Sequence, residues 1–106
     1  MEAWRICRRH HADLSGEGAR LHGGRWNRVG QPVVYLAEHP ALAVLEVLVH
    51  LDLPPELLPD DYVLMRIDMP FRTADAVLEG APTDIASAWL WRAESPALRV
   101  PSFLVP

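Results

Sequence analysis

The sequence predicts an α+β domain, and three observations predict it. Strand candidates are scattered along the chain, at 3–8, 33–37, 62–68 and 98–105. Two helical segments lie between them, over 41–51 and from Thr83 to about Trp91. A long glycine-rich loop occupies 9–32. The length, 106 residues, is that of one domain. Half of the residues are apolar, which excludes a disordered chain.

Residues 3–8 (Ala-Trp-Arg-Ile-Cys-Arg) alternate weakly, as a short strand does. Residues 9–32 hold five of the six glycines, with Asp13, Ser15 and Asn27, and read as loop. Loops this long in small domains often carry function. Residues 33–37 (Val-Val-Tyr-Leu-Ala) are rich in strand formers, with Tyr35 on the face of Val33. His39-Pro40 starts a helix, since proline fits a first helical turn. From Ala41 to Leu51 that helix is apolar nearly all round, which predicts burial on most sides, and Pro54-Pro55 ends it. Leu42, Glu46 and His50 share one of its faces. Residues 62–68 form a strand with Val63, Met65 and Ile67 on one side. Thr83 is placed to cap the second helix. Leu98 to Val105 is a last strand, and Pro101 within it implies an edge position.

Composition narrows the function classes. No apolar run approaches the roughly 20 residues a membrane helix needs, and Met-Glu-Ala-Trp-Arg is unlike a signal peptide. Cys7 is the only cysteine, so no internal disulfide forms, and it reads as an inert core thiol. A soluble cytoplasmic protein is the plain reading. Net charge is −4, unevenly spread: residues 1–30 carry six arginines against three acids, and 31–106 carry four against eleven. All ten cations are arginine. Arginine suits bidentate phosphate contacts, while genome-wide arginine bias explains the same count.

The densest signal is Gly23-Gly24-Arg25-Trp26-Asn27. Two glycines let the backbone turn tightly and let a ligand approach; a fixed cation and an aromatic follow. Tyr35 comes ten residues after Arg25, and Glu46 eleven after Tyr35. A cation, an aromatic face and a carboxylate in an apolar helix suit an anionic, ring-bearing ligand. The plainer readings are a surface arginine, a core tyrosine and a salt-bridged glutamate, since a buried carboxylate is costly unless paired. Glu46-x-x-x-His50 lacks a third ligand at a telling spacing, so no metal site is expected. Gly16-x-Gly18 lacks the Walker lysine and is no P-loop.

These residues resemble the RES domain family, the toxin half of certain bacterial toxin–antitoxin pairs, named for an arginine, a glutamate and a serine. The resemblance runs through Gly18-Ala19, Gly23 to Asn27, Gly30 to Ala37 and Ala43 to His50, then Ala88-Trp89-Leu90 and Leu98 to Ser102. It implies one RES domain over 1–106, ending before the family's usual C-terminal segment. The implied fold is ADP-ribosyltransferase-like, with small, mostly antiparallel sheets and a buried central helix. The implied catalytic residues are Arg25, Glu46 and Ser102, and Gly24, Arg25, Trp26, Asn27 and Tyr35 are placed on NAD+.

The implied activity is cleavage of the nicotinamide–ribose bond of NAD+, of glycohydrolase or phosphorylase type, without a metal, causing growth arrest. The implied partners are NAD+ and an Xre-like antitoxin. A second reading is mono-ADP-ribosylation of a host protein. A third is a non-catalytic, antitoxin-binding domain. An RNA-binding toxin is disfavoured, because basic–aromatic interleaving in residues 1–30 is thin and the remainder is acidic; no membrane and no direct nucleic-acid contact is expected.

Overall fold

Ala3 and Cys7 are four residues apart in an extended segment, so they share a face, and both are buried. The segment is β1 (Glu2–Arg8) of the computed structural model, which describes residues 1–51, 54–70, 73–93 and 95–102. β1 pairs antiparallel with β2 (Tyr62–Asp68) over its whole length, from Glu2 opposite Asp68 to Arg8 opposite Tyr62. The Cys7 thiol reaches the Met65 thioether at 3.9 Å, so Cys7 is the core thiol expected of it. The described chain divides into two compact units, Met1–Leu14 with Tyr35–Met69, and Ser15–Val34 with Pro70–Pro106.

In the first unit, charged side chains tie the ends of the β1–β2 pair. Arg8 Nε donates to both carboxylate oxygens of Asp61, at 3.0 and 3.2 Å, and the Arg9 N–H donates to the Asp61 carbonyl at 2.9 Å. The Arg8 hydrogen bond holds the Asp61 carboxyl below the usual aspartate range. Arg5 donates to the His11 carbonyl at 2.9 Å and to the Asp13 carbonyl, fastening the 3-10 turn Arg9–His11.

Helix α2 is Pro40–Leu51, as the His39-Pro40 signal predicts. His39 Nδ1 accepts the Ala41 N–H at 3.1 Å, and the His39 carbonyl accepts the Ala43 N–H at 3.1 Å. An imidazole thus satisfies one of the orphan donors of the first turn. α2 packs on β1, with Ala43 buried. The expectation of burial on most sides is corrected: Leu45, Leu48 and Val49, on the side away from Ala43, are exposed. A two-stranded sheet covers one side of a helix and no more.

The strand expected at 33–37 is also corrected. Only Ala37 makes a ladder contact, an isolated antiparallel bridge to Trp4. Trp4 gives its N–H to Ala37 at 2.7 Å and accepts from Ala37 at 2.8 Å. β2 occupies one edge of β1, and on the other edge only this residue pair comes into register. Strand-forming side chains do not supply a partner strand.

In the second unit, the loop expected over 9–32 contains helix α1 (Glu17–His22). Its glycines bracket the helix: Gly16 at the N-cap and Gly23 at the C-cap both have positive φ, 72° and 71°. Glu17 opens the helix and Arg20 and His22 close it, matching the helix dipole, and Arg20 Nε donates to Glu17 at 2.9 Å. Gly16 has a further reason to be glycine, since a Cβ there would lie 2.8 Å from the Val33 nitrogen.

Helix α3 is Pro82–Arg92. Thr83 does not cap it; Ala81 is the N-cap, because Pro82 takes the first helical position and carries Thr83 into the first turn. The last strand is shorter than expected. β4 is Leu98–Arg99 and pairs in parallel with β3 (Ala74–Asp75); Pro101 and Ser102 lie beyond it, and 103–106 fall outside the described residues. Among the described residues the α+β class therefore holds with three α-helices and two sheets, the longer of them antiparallel.

Candidate active site

Residues 23–31 form a closed loop built around one buried amide. Gly23 ends α1, its N–H bonded to the Ala19 carbonyl at 2.8 Å. The Gly24 N–H bonds the Asn27 carbonyl at 3.0 Å, so Arg25 and Trp26 form the tip between them. The tip divides by character: Arg25 is exposed, and Trp26 is 7% exposed. Asn27 is 2% exposed, and its Nδ2 donates to the carbonyls of Ala19 at 2.8 Å, Gln31 at 3.1 Å and Arg28 at 3.2 Å. The Asn27 side chain is denied water, so the protein must satisfy its amide itself.

Helix α3 holds the far end of the loop. Ser87 Oγ accepts from Arg28 Nη1 at 2.7 Å and from Gln31 Nε2 at 3.0 Å, and Arg28 also pairs with Asp84. Gln31 Oε1 accepts the Arg28 N–H at 2.8 Å, and Gly30 donates to the Arg20 carbonyl at 2.7 Å. Nothing along the sequence singles out Arg28, Gln31 or Ser87 for this loop. Their bonds to α3 span more than 50 residues, and no local pattern announces such a contact.

The structure brings Gly24, Arg25, Trp26 and Asn27 into this one loop, and Ser102, half-buried just after Pro101, belongs to the same unit. Tyr35 and Glu46 belong to the other unit. Tyr35 lies outside any strand and is 41% exposed. Glu46 is half-buried on α2, one turn from the buried Ala43, and the side chain of His50 falls outside the described residues. Among the described residues no group of three or more His, Cys, Asp or Glu side chains is placed to hold a metal ion. An open depression of about 310 Å³ lies beside the loop, lined by Gly30, Gln31, Pro32, Ser87, Leu90 and Trp91. None of the residues predicted for the site lines it.

An exposed arginine on a tip anchored at both ends is suited to an anionic group. A carboxylate held on a helix is suited to a developing positive charge. The family model described as RES domain matches residues 2–106 of this sequence. The chain belongs to the RES domain family. RES domains are ADP-ribosyltransferase-like, in keeping with the small mixed sheets and three helices seen here.

Three relatives place this RES domain further. It is 42% identical over 105 residues to a protein named Toxin Res from Photorhabdus laumondii subsp. laumondii, covering 87% of this chain and 66% of that one. It is 47% identical over 78 residues to a Toxin Res from Pseudomonas putida, covering 74% and 52%. It is 40% identical over 90 residues to a protein named Prs ADP-ribosylating toxin from Sphingobium sp., covering 81% and 55%. The RES domain described here thus spans between about half and two thirds of the length of these curated relatives. Among the described residues no helix is long and apolar enough to cross a membrane.

Proposed function

We propose that this RES domain is the NAD+-consuming toxin of a toxin–antitoxin system, acting in the cytoplasm and breaking the bond between nicotinamide and ribose. The observation that carries the reading is the match over residues 2–106 to a family whose relatives are named as toxins, one of them as ADP-ribosylating. Every ADP-ribosyl transfer from NAD+ begins with loss of nicotinamide, so bond cleavage is the step common to all versions of the activity.

The N-glycosidic bond breaks with its electron pair passing to the nicotinamide ring, which thereby loses its positive charge. The ribose becomes oxocarbenium-like, and water completes the reaction at the anomeric carbon by giving ADP-ribose and a proton. The leaving group is already cationic and needs no general acid. What the step needs is negative charge near the ribose, as in glycoside hydrolysis. Glu46 takes that role in our reading. Arg25 holds the diphosphate through the donor fork of its guanidinium. Tyr35, partly exposed, stacks on a ring of the substrate, and Ser102 orients either Glu46 or the ribose. Gly24 leaves room for the ligand beside Arg25.

The name of the Sphingobium relative favours a second reading, in which a protein side chain replaces water as acceptor and the chain is a mono-ADP-ribosyltransferase. In either version an Xre-like antitoxin holds the toxin inactive.

The test is nicotinamide release from NAD+ by the purified chain, freed of antitoxin. Release that is lost in Arg25→Ala and in Glu46→Ala supports the assignment. Release unchanged in both variants rejects these residues. A labelled acceptor band with tagged NAD+ selects the transferase version. No turnover, with antitoxin binding retained, assigns the chain to a non-catalytic antitoxin-binding domain.

A further inference from the structure

We infer that Asn27 is a positioning residue for Arg25, and not a ligand contact, an inference that rests on the reading of Arg25 as the group that holds the diphosphate. Asn27 is 2% exposed, so a ligand does not reach it without opening the loop. The two hydrogens of its Nδ2 serve three backbone carbonyls, one in α1 (Ala19) and two in the loop (Arg28 and Gln31), with one hydrogen shared between two of them. Its own carbonyl accepts the Gly24 N–H at 3.0 Å. Asn27 therefore touches both sides of the Arg25–Trp26 tip, and its amide welds that tip to the end of α1. Trp26, turned into the interior, anchors the tip between these two fixings.

The chemistry explains why asparagine stands here. An aspartate of the same shape would face three carbonyl oxygens with no hydrogen to give at neutral pH. A serine reaches one carbonyl at most. A residue that fixes a backbone tip fixes where the guanidinium of Arg25 begins, and displacement of a binding group by about 1 Å costs on the order of a hundredfold.

The experiment is a double-mutant cycle on the full chain, read as nicotinamide release from NAD+ for wild type, Asn27→Ser, Arg25→Ala and the double variant. The expected result is a KM for NAD+ raised about tenfold or more in Asn27→Ser with kcat nearly kept, and no further loss when Asn27→Ser is added to Arg25→Ala. A fall in kcat at unchanged KM, or losses that multiply, overturns the inference, because a merely structural asparagine reduces the active fraction whatever stands at residue 25.

Amide hydrogen exchange separates this inference from the functional reading. In Asn27→Ser the Gly24 and Gly30 amides are expected to lose protection while the β1–β2 amides keep theirs. Unchanged protection overturns the positioning role even if the wild type releases nicotinamide. Lost protection in a chain that releases none upholds the hold of Asn27 on the loop and rejects the NAD+ reading alone. If Asn27→Ser does not fold, Ser87→Ala loosens Gln31 from outside the same loop: a KM raised about two- to threefold at constant kcat supports the device, and no change in KM overturns it.

Discussion

The side-chain amide of Asn27 donates to the Ala19 carbonyl at 2.8 Å, and the same carbonyl accepts the Gly23 N–H at 2.8 Å. The last turn of α1 and the loop that presents Arg25 thus share one acceptor. A carbonyl has two lone pairs, and both are used: one by the C-cap of the helix, one by a residue eight positions on. Neither the short helix nor the loop is built without the other.

Truncation at that point should be expensive. Asn27→Ala takes the amide from the Gln31 carbonyl and the second hydrogen bond from the Ala19 and Arg28 carbonyls, which keep the N–H groups of Gly23 and Gln31, and is expected to destabilise the chain by about 2 kcal/mol. A urea titration of both proteins measures this, and a shift under about 1 kcal/mol would show that water replaces the amide.

The glycines of the same unit should respond in opposite directions. Gly16→Ala forces a Cβ to 2.8 Å from the Val33 nitrogen at φ +72°, and is expected to cost about 2 kcal/mol or more. Gly18 is helical, with nothing within 4 Å of a Cβ, so Gly18→Ala should stabilise by roughly 0.5–1 kcal/mol. Thermal melts of the two variants, moving to either side of wild type, check the prediction.

Glu46→Gln keeps the size of the side chain and removes its charge. On the proposed mechanism it lowers kcat for nicotinamide release by about a hundred- to a thousandfold, the scale of losing one preorganised electrostatic contact in a site. KM for NAD+ should change little, because the charge is needed in the transition state more than in the ground state. A variant that loses binding and keeps kcat assigns Glu46 to substrate holding.

Asp61 supplies a pH signature. Arg8 lowers its pKa in the folded chain, so the native state favours the carboxylate more than the unfolded state does. The stability contributed by the pair is present above the unfolded value of about 4 and is lost as pH falls through the lower folded value. Asp61→Asn should therefore lower stability by a constant amount at neutral and alkaline pH and flatten the acid side of the stability curve. Denaturation midpoints measured from pH 7 down to about 2 decide it, and parallel curves refute it.

Much of the first unit is legible along the chain. Alternation in 3–8 and in 62–68, and the His39-Pro40 start of α2, are local signals, and β1, β2 and α2 form where those signals lie. Arg25, Trp26 and Asn27 stand out in sequence for the same reason: they are contiguous. The misreadings have physical causes. Gly16 and Gly23 read as loop formers in the sequence, whereas in the fold they are the two caps of α1, and Ser15, Glu17 and Arg20 between and beside them are the local signal of that helix. Val33 to Leu36 have the side chains of a strand, but of that segment only Ala37 comes into register with β1.

By itself the sequence determined the α+β class and the family, and it carries the residue types on which the proposed NAD+ site rests. These rest on local periodicity and on contiguous motifs, which a linear chain carries in full. Tertiary structure decided how the Arg25 loop is held. The amide of Asn27 chose three carbonyls, Trp26 turned inward while Arg25 turned outward, and Ser87 received Arg28 and Gln31 from more than 50 residues away. Hydrogen-bond partners of a buried side chain such as Asn27 are settled by which groups are denied water once the chain has folded, and only the folded chain contains that information.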